Sequence, residues 1–133
     1  MRVMIDTNIF ISSILFPNSL PARLVEDVLY RHNLVLCSQI IEELHEVFNR
    51  KFETKIKDLE RFLSCLSYEL VYTPLKINKD EYPEIRDEKD LPILVSAVLS
   101  DVDYFVTGDK DFFDVEIERP EIISAKEFLK SSK

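Results

Sequence analysis

A chain of 133 residues, 46% of them hydrophobic, is long enough to pack one domain and short for two. Seventeen Lys and Arg against twenty-five Asp and Glu leave a formal charge of −8, which argues against a broad basic surface that tracks phosphates. No apolar run nears the ~20 residues that span a bilayer, and an aspartate at position 6 interrupts any signal-peptide core, so a soluble cytoplasmic protein is expected.

Cys37 and Cys65 are too few and too irregularly placed for a disulfide framework or a zinc site, and both read as reduced core thiols. Gly108 is the sole glycine, so it is expected where any other residue would be awkward, at a sharp turn or a close backbone approach.

Residues 1–6 read as a buried strand in which Val3-Met4-Ile5 runs into Asp6. A strand ending on a carboxylate places it at the carboxyl edge of a sheet, where open α/β folds keep their sites; capping the next helix is the competing role. Residues 9–16 predict a short helix started by Thr7 or Asn8 and stopped at Pro17-Asn18. Ser19 caps the next helix, with Pro21 in its first turn and Leu24, Val25, Val28 and Leu29 at helical spacing to about Tyr30. Residues 33–37 read as a second strand, and Ser38 as the N-cap of a helix to about Lys51.

The apolar face of that helix is Ile40, Ile41, Leu44, Val47 and Phe48. At ~100° per residue, Glu43 lies about 40° outside this arc, whereas Glu42 and Glu46 point well away. Glu43 is therefore the acid of this helix most able to look over the sheet edge, unless it is simply a solvated boundary residue. His45 lacks an HExxH spacing and reads as a surface histidine.

Residues 55–69 predict another helix, with Leu59, Phe62, Leu63 and Leu66 inward. Arg50, Lys51, Lys55, Lys57 and Arg61, with Phe52 among them, form the one notable basic cluster. It is either a solvated helix surface or a contact for nucleic-acid backbone, with Arg50, Lys51 and Lys55 foremost. Residues 70–73 read as a third strand, and the polar stretch 74–89 as a connection. Residues 90–101 form a helix that tolerates Pro92 in its first turn. Asp90 shares a face with Leu94, Ala97 and Val98; capping explains its position, and a ligand role explains its direction as well. Residues 103–107 make the fourth strand, leading into Gly108-Asp109-Lys110-Asp111-Phe112-Phe113-Asp114. Residues 121–123 are a fifth, marginal strand. Ser124 caps a last helix to about Leu129, and Lys130 to Lys133 are expected to fray.

The alternation of strands and helices predicts a parallel sheet with right-handed crossovers, whose carboxyl edge should gather Asp6, Glu43, Asp90 and Asp109. Carboxylates so close raise one another's pKa values, and a hard divalent cation relieves the repulsion. An all-oxygen set without His or Cys suits Mg²⁺ or Mn²⁺, and such centres activate water in phosphoryl transfer.

The segments Val3-Met4-Ile5-Asp6-Thr7-Asn8, Ile40-Ile41-Glu42-Glu43-Leu44, Lys89-Asp90-x3-Leu94-x2-Ala97 and Phe105-Val106-Thr107-Gly108-Asp109-Lys110-Asp111 occur in that order. Together they resemble the PIN-domain (PilT N-terminus) ribonucleases, and most of all the VapC-type toxins of toxin–antitoxin pairs. The stretch from Pro120 to Phe128 also resembles that branch. The resemblance implies a single three-layer α/β/α PIN-like domain over residues 1–133, with a central parallel sheet of about five short strands.

It further implies a metal-dependent endoribonuclease in which Asp6, Glu43, Asp90 and Asp109 are the catalytic metal ligands and Asp111 an auxiliary one. Thr7, Asn8 and Thr107 would position the acids or the water through hydrogen bonds. A metal-activated water would attack phosphorus in line, leaving a 5′-phosphate and a 3′-hydroxyl. A homodimer is implied, as is a small antitoxin protein whose Arg or Lys enters the carboxylate site. One departure stands out: the family often has Asp-Pro-x-Asp where this chain has Asp87-Glu88-Lys89-Asp90, which makes Asp87 a rival to Asp90. Two other functions compete with the nuclease. One is a catalytically silent PIN-like module that binds protein or RNA. The other is a haloacid-dehalogenase-like phosphatase, which wants a second aspartate two residues after the first, where Asn8 stands.

Overall fold

The computed structural model describes residues 1–131, so Ser132 and Lys133 of the expected fraying tail lie outside the described residues. Five short strands alternate with helices. They are β1 (Arg2–Ile5), β2 (Asn33–Cys37), β3 (Glu69–Val71), β4 (Tyr104–Val106) and β5 (Glu121–Ile123). All four pairings are parallel, in the order β3-β2-β1-β4-β5. The helices are α1 (Thr7–Leu15), α2 (Leu20–Arg31), α3 (Ser38–Lys51), α4 (Ile56–Cys65), α5 (Leu91–Leu99), α6 (Lys110–Phe113) and α7 (Ala125–Ser131). The result is the expected three-layer α/β/α domain. Its strands β1 and β2 are apolar without alternation because a parallel sheet is covered on both faces.

The core is contiguous. Val3, Met4 and Ile5 of β1 and Leu34 to Cys37 of β2 are buried, as are Ile40, Leu44 and Phe48 from α3. Phe10 of α1 meets Phe62 of α4 edge to face at 5.9 Å, and Phe105 of β4 meets Phe112 of α6 at 4.7 Å. These aromatic contacts pin short elements whose own turns are too few to be stable alone.

Several expected boundaries shift. Asp6, not Thr7 or Asn8, is the N-cap of α1: its side chain accepts from the Thr7 N–H, and helix follows strand with no loop. Ser19 caps α2 and Ser124 caps α7, as their hydroxyl character predicts. Ser38, by contrast, is already inside α3, and its hydroxyl accepts from the Thr73 N–H at 2.9 Å, tying the end of edge strand β3 to α3. The helix predicted over 55–69 is shorter, a 3₁₀ turn at Glu53–Lys55 followed by α4, and Leu66 is already extended. Lys130 and Ser131 belong to α7. The four-residue α6 was not anticipated, because Asp109 caps a turn too short to show periodicity.

Two expectations about single residues fail. Cys65 ends α4 exposed, and only Cys37 is a core thiol, its pKa raised by burial. Gly108 has no positive φ, and a Cβ there would meet nothing within 4 Å. Neither backbone freedom nor close packing against this chain accounts for the glycine.

Candidate metal centre

Strand order reverses direction at β1: the chain moves outward through β2 to β3, then returns to place β4 on β1's other side. The crevice beyond the carboxyl ends of β1 and β4 is thus the topological switch point, where open α/β sheets hold their ligands. The pairing of Ile5 with Val106 sets the next two residues, Asp6 and Thr107, abreast. Both are buried. The Thr107 hydroxyl donates to Asp6 Oδ2 at 2.7 Å and accepts from the Asp109 N–H at 3.0 Å. One hydroxyl therefore orients two acids that lie 103 residues apart in the chain.

The other acids are placed by local geometry. Thr7, the first residue of α1, donates its hydroxyl to Glu43 Oε2 at 2.7 Å, drawing the α3 glutamate towards the edge. Asp109 Oδ1 accepts from the Asp111 N–H at 2.9 Å, which fixes Asp109 as the cap of α6. Asp87 and Asp90 part company in the 3₁₀ turn Glu88–Asp90. Asp87 Oδ1 accepts from the Lys89 N–H at 3.0 Å and caps that turn, whereas Asp90 sits at the N-cap of α5 and makes no capping bond. Capping therefore explains Asp87 and leaves Asp90 unexplained by it.

Asp6, Thr7, Asn8, Glu43, Asp90 and Asp109 line one cleft of ≈ 530 Å³, joined there by Gln39, Glu46, Arg50 and Lys89. Among the described residues, Asp90, Asp109 and Asp111 can each offer a carboxylate oxygen within 4.8 Å of one another. Asp6 and Glu43 are not in that tight trio; Thr107 holds the first and Thr7 the second, and Asp111 lines the neighbouring groove rather than this cleft. Asp111 additionally carries Arg86, whose Nε lies 2.8 Å from Oδ1. Asp87 does not line the cleft. Of the three basic residues singled out by sequence, only Arg50 lines it; Lys51 does not, and Lys55 lies 3.9 Å from Asp58.

The electrostatics follow from this crowding. Asp90 is pushed up to about 7, first by burial and then by the charges of Asp109, Asp6, Asp87 and Glu43. Burial also raises Asp6, against the hydrogen bonds from Thr107 and Thr7, with the Asp109 charge adding to the rise. Glu43 is raised by burial and by Asp6 and Glu46, partly offset by Thr7. Carboxylates that oppose one another's ionisation in this way, with no His or Cys among them, fit a hard divalent cation.

Glu46, Lys89 and Arg86 were missed at the sequence level. Glu46 was expected to point away, yet it lines the cleft beside Glu43. The signal was present: Gln39, Glu43, Glu46 and Arg50 follow i, i+4, i+7, i+11, a single stripe of α3. Lys89 and Arg86 come from a connection without periodicity and carried no such signal.

Thr107→Val keeps the shape and removes the shared hydroxyl. It leaves the Asp109 N–H and one Asp6 oxygen without their partners, and is expected to destabilise the fold by about 1–3 kcal/mol. Affinity for an added divalent cation should fall by roughly 10–100-fold, as when a group supporting metal ligands is lost. Urea unfolding and calorimetric metal titration of the same preparations check both numbers.

A parallel sheet of order 3-2-1-4-5 with an acidic crevice at its switch point defines an α/β domain of the carboxylate-edge type. The chain belongs to the PIN-domain family, whose model matches residues 2–111 and so takes in every acid just described. It is similar to a chain in the crystal structure of VapBC2 from Rickettsia felis bound to a DNA fragment from their promoter. That likeness has a TM-score of 0.68 at 20% sequence identity, over 92% of this chain and 97% of that one. No curated protein matches it.

Proposed function

We propose that this protein is a divalent-metal-dependent endoribonuclease of the VapC type, the toxin of a toxin–antitoxin pair. The observation that carries the reading is the acid cluster: three carboxylates within 4.8 Å, with Asp90 raised to about 7 by burial and by its acidic neighbours. Asp90, Asp109 and Asp111 would hold the cation, with Asp6 and Glu43, which line the cleft together with Asp90 and Asp109, completing its surroundings. Mg²⁺ or Mn²⁺ bound there supplies Lewis-acid polarisation of water and of a phosphate oxygen.

The chain's own groups do the positioning. Thr107 fixes Asp6 and Asp109 relative to each other. Thr7 occupies Glu43 Oε2 and leaves Oε1 to take a proton from the attacking water; a carboxylate raised by burial is suited to that task. In-line attack forms the new P–O bond and breaks P–O3′, leaving a 5′-phosphate, and the departing 3′ oxygen takes a proton from solvent to become the 3′-hydroxyl.

The partner assignment rests on the acidic cleft, which accepts a cationic side chain from a small antitoxin, and on the likeness to a chain of the VapBC2 complex. A homodimer completes the proposed assembly.

The test is cleavage of labelled RNAs of mixed sequence in Mn²⁺, Mg²⁺ or EDTA, with Asp6→Asn as the control for contaminating ribonuclease. Cutting in either metal, absent in EDTA and leaving 5′-phosphate ends, is the expected result. Intact RNA in both metals, with metal binding still measurable by calorimetry, would sink the proposal and leave a silent RNA- or protein-binding module.

A further inference from the structure

The acidic cleft contains two cations that its acids do not use. Arg50, in the last turn of α3, and Lys89, in the turn before α5, both line it beside Asp6, Glu43, Asp90 and Asp109. Among the described residues neither makes an ion pair or a hydrogen bond through its side chain. The cations of the neighbouring groove are spent instead: Lys79 lies 2.9 Å from Glu88, and Arg86 lies 2.8 Å from Asp111.

In a chain of charge −8, two exposed side-chain cations line the same cleft as four carboxylates. A cleft lined by both acids and cations suits a ligand of both signs: a cation for the acids, and an anion reaching past it for Arg50 and Lys89. A nucleic-acid strand whose scissile phosphate lies at the acids supplies that anion through its adjacent phosphates.

We infer that Arg50 and Lys89 grip the RNA phosphates next to the one being cut. The substrate is then held by its backbone at the cleft, without a broad basic surface, which reconciles a strongly acidic protein with a polyanionic substrate. These contacts read phosphate, so they add affinity without sequence preference. The inference rests on the ribonuclease reading and deepens it.

Binding of a short labelled single-stranded RNA of mixed sequence, followed by fluorescence anisotropy against KCl concentration in Mg²⁺, tests it without turnover. The reference protein carries Asp6→Asn. Adding Arg50→Gln and Lys89→Gln is expected to reduce the slope of log K against log salt by about 0.7 for each contact, about 1.4 for the pair. Affinity at ~0.1 M salt falls about fivefold for each, about 25-fold for both. The charge-matched pair Lys126→Gln and Lys130→Gln, on α7 away from the cleft, should leave slope and affinity unchanged. In the otherwise unaltered enzyme, the Arg50 and Lys89 substitutions should raise KM with kcat nearly constant, and calorimetric metal affinity should not weaken.

An unchanged salt slope, an equal loss in the α7 pair, or metal affinity falling together with RNA affinity would each overturn the inference. None of these outcomes bears on whether the enzyme cuts RNA. Conversely, an RNA that binds with the expected slope but is never cut would end the ribonuclease reading alone.

Discussion

Asp6→Asn is expected to lower the rate of RNA cleavage by about 10³-fold, the effect of losing roughly 4 kcal/mol of transition-state stabilisation at a metal centre. The fold should survive. Asp6 is buried, one of its oxygens accepts from the Thr7 N–H, and the other accepts from the Thr107 hydroxyl. Asparagine keeps a carbonyl for the first contact, and its amide can donate to the Thr107 oxygen in the second position, because a hydroxyl both donates and accepts. It also removes a charge whose ionisation burial opposes. Thermal stability at neutral pH should therefore match or exceed that of the parent. Circular dichroism melting alongside the cleavage assay checks this, and a large loss of stability would mean that Asp6 is mainly structural.

Asp90 gives the second large effect, and its direction runs against intuition. Its folded pKa of about 7 stands above the ordinary value of 3.8, so the folded state holds this proton to higher pH than the unfolded chain does. Stability from this group is fully present below about 4 and is lost as pH rises through about 7. The metal-free protein should melt at a higher temperature at pH 5 than at pH 8, and Mg²⁺ or Mn²⁺ should raise the melting temperature far more at pH 8, where the acids are ionised. Asp90→Asn should flatten this pH dependence and abolish most of the metal-induced stabilisation. It should also raise the metal-free melting temperature at pH 8. Asp90 is only half-buried, so solvent screening leaves about 1 kcal/mol of the effect, roughly 4 °C for a chain of this size. A melting temperature that rises from pH 5 to pH 8 without metal would contradict the crowding of acids around Asp90.

Much of the domain was legible in the chain because its strands are short apolar runs set between segments of helical period. Val3-Met4-Ile5 and Leu34 to Cys37 read as buried strands because turn and cap residues bound them closely, and their alternation with helices predicts a parallel sheet. Asp6 and Asp109 were legible as edge acids because each follows a strand directly or nearly so. Asp90 was favoured by the face it shares with Leu94, Ala97 and Val98, but Asp87 stayed a rival because the 3₁₀ turn that consumes it has no periodicity to show. Glu46 was misplaced by weighing each acid of α3 against the apolar arc alone, although its three-residue spacing from Glu43 puts the two on one face.

The sequence by itself determined the five strands, the longer helices, their order and the edge on which the acids collect, because the periods of strand and helix are properties of the backbone. Only the tertiary structure decided what each polar group is bonded to. Thr107 reaches Asp6 because Ile5 pairs with Val106; Asp87 is consumed by its own turn while Asp90 makes no capping bond; Arg86 crosses to Asp111, and among the described residues Arg50 and Lys89 make no ion pair in the cleft. Those choices depend on strand register and on which donors lie within about 3 Å. Apart from the capping of a residue's own turn, no repeat along the chain encodes them.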